Sequence, residues 1–196
     1  MNHAFFGIIW VLAQILRLLY RIEVKGLENL PRNGVLLCPN HASDLDPVLI
    51  GICLPINYRL HFMAKEELFQ NRLFGRILRA LGAFPVNREG ADIQAVKTAM
   101  KVIHEGENLL IFPEGTRIRK GKTSAPHGGA VMIAARMGVP IVPVYLSTDK
   151  RIFRPLDVVF GEPYHPHPSD RRVSNEELDA LSQDMMQRIY ALKETL

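Results

Sequence analysis

The stretch from Asn108 to Leu146 constrains the fold most. NLLIF (108–112) is an apolar run of strand length, PEGTRIRKGK (113–122) a basic loop, GGAVMIAARMG (128–138) a helical run and VPIVPVYL (139–146) a β-branched run. Strand, loop, helix, strand is the unit of a sheet covered by helices, with polar loops at its strand ends. The same grammar recurs upstream. GVLLC (34–38) reads as a strand entering the polar PNHASDLDP, and PVLIGICL (47–54) as a buried helix. AFPV (83–86) is a further short apolar stretch. A helix is expected from Asp92, with Ile93, Val96, Met100 and Ile103 at core spacing and Gly106 as its stop. DVVF (157–160) is a short strand. Ser174 and Glu177 form a capping box for a last helix carrying Leu178, Leu181, Met185, Ile189 and Leu192. The expected fold class is α/β: a mixed, largely parallel central sheet covered by helices, preceded by an N-terminal membrane-associating helix.

That first helix is residues 4–20, AFFGIIWVLAQILRLLY, apolar apart from Gln14 and Arg17. Its length of roughly 25 Å falls short of a hydrocarbon core of ~30 Å. Positive charge follows the run and no A-x-A site appears, which argues against a cleaved signal peptide. A helix lying in one leaflet, a single span and a helix buried in a core all stay open. Residues 1–21 are assigned to this segment. Residues 22–196 form one domain, as expected for 196 residues with 47% hydrophobic and 22% charged side chains.

The net charge of +4 is too small to argue for nucleic acid. Its distribution says more. Residues 59–122 hold 12 basic against 7 acidic side chains, so this segment, at +5, is where a phosphate group is sought. Residues 66–81, EELFQNRLFGRILRAL, read as one amphipathic helix. Leu68, Phe69, Leu73, Phe74, Ile77, Leu78 and Leu81 form its apolar side, and Arg72, Arg76 and Arg79 a basic face suited to solvent or to anionic headgroups. Cys38 and Cys53 lack any CxxC spacing, so neither a disulfide framework nor a zinc knuckle is indicated and a reducing compartment is the default. His165 and His167 form the one close histidine pair, between prolines in a loop, and no metal or cofactor is expected.

Two constellations can carry chemistry. His41 follows a strand, and Asp46 lies five residues on. The carboxylate can fold back onto one ring nitrogen and leave the other free as a base, although Asp46 before Pro47 also reads as a helix cap. Ser43 sits too close to His41 for easy pairing and in no GxSxG elbow, so the histidine should activate the substrate's own hydroxyl. In Phe112-Pro113-Glu114-Gly115-Thr116-Arg117, a glycine bend ends a buried strand, and Arg117 can grip a phosphate with two hydrogen bonds. Gly115–Thr123 also spells G-x5-G-K-T, one residue longer than the nucleotide phosphate loop, and no helix follows directly, so nucleotide binding is not expected.

The ordered blocks N-H-x-S-x-x-D (40–46), K-E-E-L with P-V-N-R (65–68, 85–88), F-P-E-G-T-R (112–117) and V-P-I-V-P-V (139–144) resemble those of the glycerolipid acyltransferase family over about residues 22–150. The resemblance implies acyl transfer from an acyl carrier protein or coenzyme A thioester to the free hydroxyl of a lysophospholipid, without an acyl-enzyme. Lysophosphatidic acid is the first acceptor it implies and phosphatidic acid the product. Glycerol-3-phosphate or another lysophospholipid is the alternative acceptor, and a lipid-binding protein without turnover the non-enzymatic one. By the same resemblance His41 and Asp46 are catalytic. Lys65, Arg88, Glu114, Gly115, Thr116 and Arg117 bind or shape the site for the acceptor, and amides near Gly115 are candidates for the oxyanion. Peripheral or monotopic attachment at the cytoplasmic face of the cell membrane follows. Where many members carry Phe-Lys before a glycine, this chain has Pro126, His127, Gly128 and Gly129, so contacts made there do not transfer.

Overall fold

The computed structural model describes residues 3–55, 57–87, 92–117, 125–168 and 173–196. Its elements are α1 (His3–Tyr20), β1 (Ile22–Lys25), β2 (Leu36–Pro39), α2 (Asp46–Cys53), β3 (Leu60–Lys65), α3 (Arg72–Ala80), β4 (Ala83–Val86), α4 (Ile93–His104), β5 (Asn108–Leu110), α5 (Gly129–Met137), β6 (Ile141–Leu146), β7 (Leu156–Phe160) and α6 (Asn175–Ala191). Among the described residues the strands form one sheet in the order β1-β7-β6-β2-β5-β3-β4. Every neighbouring pair is parallel except β6 with β7, which is the mixed, largely parallel arrangement expected.

A parallel sheet needs both faces covered, and the apolar runs of β2 and β6 supply this. Leu37, Val142 and Val144 pack with Tyr20, Leu49 and Ile50 of α1 and α2 on one face. Leu36 and Ile141 pack with Ile103, Ile133 and Met185 of α4, α5 and α6 on the other. Adjacent residues of one strand thus serve opposite layers, as the two-residue side-chain period requires. The capped ends hold as well: Asp92 accepts the Ala95 amide and Ser174 the Glu177 amide.

Three expectations need correction. The helix read over 66–81 is broken. Glu66–Phe69 forms a single 3-10 turn, and α3 starts at Arg72 because the Asn71 side chain accepts the amides of Leu73 and Phe74 as a cap. Leu73 and Phe74, read as part of the helix's apolar side, are exposed, so the exposed surface of α3 carries apolar side chains as well as arginines. Ile93 at the start of α4 is likewise exposed rather than core. Finally, β1 and β3 are strands without a clear apolar run. IEVK alternates half-buried and exposed, and LHFMAK is only half-buried over most of its length.

α1 is neither wholly buried nor free. Tyr20 is in the core and Leu16 and Leu19 pack against it, while Val11, Ile15 and Leu18 face outward. Among the described residues no helix is long and apolar enough to cross a membrane.

Candidate active site

β2, β5 and β6 are adjacent and parallel, so the loops leaving their carboxyl ends share one edge of the sheet. Open α/β sheets bind ligands at that edge, where connections diverge to opposite sides. The three loops carry Asn40-His41, Phe112-Pro113-Glu114-Gly115 and Lys150.

Asn40 anchors the first loop. Its side chain donates to the Leu146 carbonyl at 2.9 Å and accepts the Leu146 amide at 2.8 Å, which ties the end of β2 to the end of β6. His41 follows, almost wholly buried, with its ring stacked on Phe112 at 3.9 Å between centroids. Its Nδ1 is 2.9 Å from Asp46 Oδ2, and the same oxygen accepts the amides of Ala42 and Ser43 at 2.7 and 2.8 Å. Asp46 is the first residue of α2, so the helix start fixes the carboxylate while the carboxylate closes the loop. The capping alternative is thereby decided: Asp46 binds the loop that precedes it and the ring of His41. Ser43 Oγ accepts the Leu45 amide, a local turn bond.

Lys150 Nζ lies 2.9 Å from the other Asp46 oxygen, and both atoms are buried. Burial is the largest influence on Asp46 and opposes its ionisation. The hydrogen bond with His41, the charge of Lys150 and the Ser43 amide together outweigh it and hold the carboxyl below its ordinary range.

Glu114 is buried behind the dyad. Its Oε2 accepts the His41 amide at 2.7 Å, and its Oε1 accepts the Tyr190 hydroxyl of α6 at 2.9 Å. Burial pushes its carboxyl up, and the hydrogen bonds from Tyr190 and His41 offset only part of this. Gly115 turns at φ +63°, and a Cβ there would stand 2.3 Å from His127 Cδ2. The departure at 126–129 therefore packs a histidine directly onto the glycine bend. The Gly115 amide donates to Phe112 O and the Thr116 amide to Glu114 O, so the two amides offered for the oxyanion are spent in the turn itself.

Thr116 and Arg117 are exposed beyond the bend, and Arg117 pairs with Asp44 of the His41 loop. Lys65 ends β3, two strands from β2, and pairs with Glu67 at 2.7 Å. Arg88 lies outside the described residues, as do residues 118–124 of the G-x5-G-K-T spacing. The His165 and His167 rings lie 6.5 Å apart, and no cluster of three metal-ligand side chains occurs among the described residues.

A family model described as Acyltransferase matches residues 21–147, from the start of β1 to the end of β6. The chain belongs to the acyltransferase family. It is 35% identical to the 1-acyl-sn-glycerol-3-phosphate acyltransferase of Bacillus subtilis across 93% of each chain. It is 31% identical to the chloroplastic enzyme BAT2 of the same name from Brassica napus, over 76% of this chain and 44% of that protein. The crystal structure of the 1-acyl-sn-glycerophosphate acyltransferase PlsC from Thermotoga maritima superposes with a TM-score of 0.68. That match covers all of this chain and 84% of the other at 23% identity, which speaks for the fold.

Within this acyltransferase, sequence reasoning missed the roles of Asn40, Phe112, Tyr190 and Lys150. The first two stood inside recognised motifs as Asn40 of the histidine block and Phe112 of the glutamate block. Tyr190 and Lys150 had no local signal: only tertiary folding brings Tyr190 to Glu114, 76 residues away, and Lys150 to Asp46, 104 residues away.

Proposed function

We propose that this chain transfers an acyl group from an acyl thioester, carried by acyl carrier protein or coenzyme A, to the free hydroxyl of 1-acyl-sn-glycerol-3-phosphate, giving phosphatidic acid. The observation that carries the acceptor is the Bacillus relative of that name, matched over 93% of each chain. For the chemistry, the support is the His41–Asp46 contact. With Nδ1 engaged, Nε2 is the nitrogen left to act as base. It takes the hydroxyl proton as the acceptor oxygen attacks the thioester carbon. The tetrahedral intermediate then collapses to the ester, and the proton passes from His41 to the departing thiolate. No cofactor takes part in this scheme.

Arg117 beside Asp44 stands at the mouth of the His41 loop and is free to exchange a carboxylate for the acceptor's phosphate. Lys65, at the end of β3, is the second cation assigned to the acceptor's phosphate, and the family resemblance adds Arg88. The enzyme works at the cytoplasmic face of the membrane, held peripherally. Support for this comes from the outward Val11, Ile15 and Leu18 of α1, the exposed Leu45 and Val48 beside the dyad, and the exposed arginines, Leu73 and Phe74 of α3. Two buried, free cysteines suit a reducing compartment.

Thioester consumption by the purified protein tests the reading, with lysophosphatidic acid, glycerol-3-phosphate, a lysophosphatidylcholine or no acceptor, and either donor. Turnover confined to lysophosphatidic acid, with phosphatidic acid found by mass, is expected. Turnover with a different acceptor alone would replace the substrate and keep the chemistry.

A further inference from the structure

The dyad has a third charged member. Lys150 leaves the end of β6, its side chain is 9% exposed, and its ammonium lies 2.9 Å from Asp46 Oδ1. That oxygen has no hydrogen bond to any amide, whereas Oδ2 is fully used by His41, Ala42 and Ser43. A buried lysine is costly unless it meets a charge, and burying one against a carboxylate that already has three donors needs a reason beyond stability.

The reason lies in what the carboxylate does to the ring. An uncompensated Asp46 beside Nδ1 favours the imidazolium, and an imidazolium cannot accept a proton from the acceptor's hydroxyl. A cation on the far oxygen removes that bias and keeps the carboxylate from rotating away from the ring. The other charged groups around His41 do not supply this. Glu114 is an acid and meets the backbone amide of His41 and the hydroxyl of Tyr190, and Phe112 on the ring face is uncharged. Arg117 and Asp44 pair with one another in solvent, and Arg151 pairs with Asp149 beside Lys150.

We propose that Lys150 is a positioning residue of the catalytic dyad. It clamps Asp46 Oδ1 and cancels its charge, so that His41 meets the acceptor unprotonated. The inference rests on the reading of His41 as the general base.

Its test is the pH dependence of kcat/KM for K150Q, K150R and H41A beside wild type, each shown to be folded by thermal melting. K150Q keeps a donor to Oδ1 without the charge. Its acid limb is expected to move up by about one pH unit, the effect of removing a like charge at this range. Turnover then falls about tenfold below the limb, a larger loss than on the plateau, where only the weaker hold on Oδ1 counts. K150R keeps the charge and should leave the limb in place. A folded K150Q that loses activity equally at every pH, or shows no change, overturns the inference. If K150Q does not fold, K150R decides: loss of activity at all pH values in folded K150R makes Lys150 a packing element. H41A separates the two readings. If H41A turns over like wild type, the base assignment itself has failed; if H41A is inactive and K150Q has an unmoved limb, only the role of Lys150 has failed.

Discussion

One oxygen of Asp46 holds both the His41 ring and the loop that carries it: Oδ2 is 2.9 Å from Nδ1 and 2.7 and 2.8 Å from the Ala42 and Ser43 amides. D46N cannot reproduce this. If the amide oxygen faces the ring and the two N–H groups, its NH2 meets the Lys150 ammonium; if it is turned, the NH2 meets three donors. D46N should lower kcat by about 10²–10⁴-fold, the usual worth of a positioned base, with a smaller change in KM. The lowered Asp46 pKa also fixes a pH window. Its contribution to stability is full above the ordinary carboxyl value of about 4 and is lost as pH falls through the lower folded value. The stability gap between wild type and D46N, measured by urea unfolding, should therefore shrink on acidification below that value.

Glu114 behaves in the opposite sense. Its carboxyl is pushed up by burial, so the fold favours the protonated form, and its stabilising effect fades as pH rises through the folded value. E114Q resembles that form and still accepts the His41 amide. It should match or exceed wild-type stability at neutral pH, with an advantage that vanishes in acid. E114A leaves the buried amide without an acceptor and should cost about 1–3 kcal/mol. Thermal melts of both across pH check this. A raised acceptor KM in folded E114Q would give Glu114 the acceptor-binding part that the family resemblance implies for it.

Legibility in the sequence followed the range of the interactions. Buried strands such as LLCP and IVPVYL are visible because both faces are apolar, and the dyad because loop closure over five residues is local. β1 and β3 escaped because neither has a clean apolar run, and their strand state is set by pairing with β7 and with β4 and β5. The break before α3 hung on one side chain, Asn71, whose preference for capping outweighs the helical pattern around it. Lys150 was unreadable for a different reason. A lysine in the sequence TDKRIF looks like any solvated loop lysine, and only the β2–β6 pairing brings it against Asp46.

Gly115 is fixed by two separate constraints, a left-handed backbone and the ring of His127. G115A should destabilise the protein and reduce turnover, because the bend sits one residue from Glu114. Adding H127A removes the collision and not the backbone penalty of about 1–2 kcal/mol. The double variant should recover part of the melting temperature lost by G115A; recovery of none of it would show that the His127 contact carries no weight.

Arg117 is half exposed and bound only to Asp44 among its described contacts, so its removal should leave folding intact. R117A should raise the KM for phosphate-bearing acceptors more than for a neutral lysolipid. D44N frees the guanidinium and should leave that KM equal or lower. Equal losses with charged and neutral acceptors would make Arg117 structural.

Attachment to a bilayer should run through the face of the sheet that α1 and α2 cover. Leu18 is 77% exposed and Phe153 68%, and the Phe153 amide donates to Leu19 O at 2.7 Å, which fixes the two apolar residues at the same end of α1. Transfer of either side chain into the headgroup boundary is worth about 1–2 kcal/mol, or roughly tenfold in partitioning. L18D and F153D should each weaken sedimentation with anionic vesicles by about that factor or more, without loss of melting temperature. I93D supplies the control, because Ile93 is as exposed but lies on α4, which covers the opposite face. If high salt releases the protein while L18D and F153D bind like wild type, attachment runs instead through Arg72, Arg76 and Arg79 of α3 and the apolar end of α1 has no part in it.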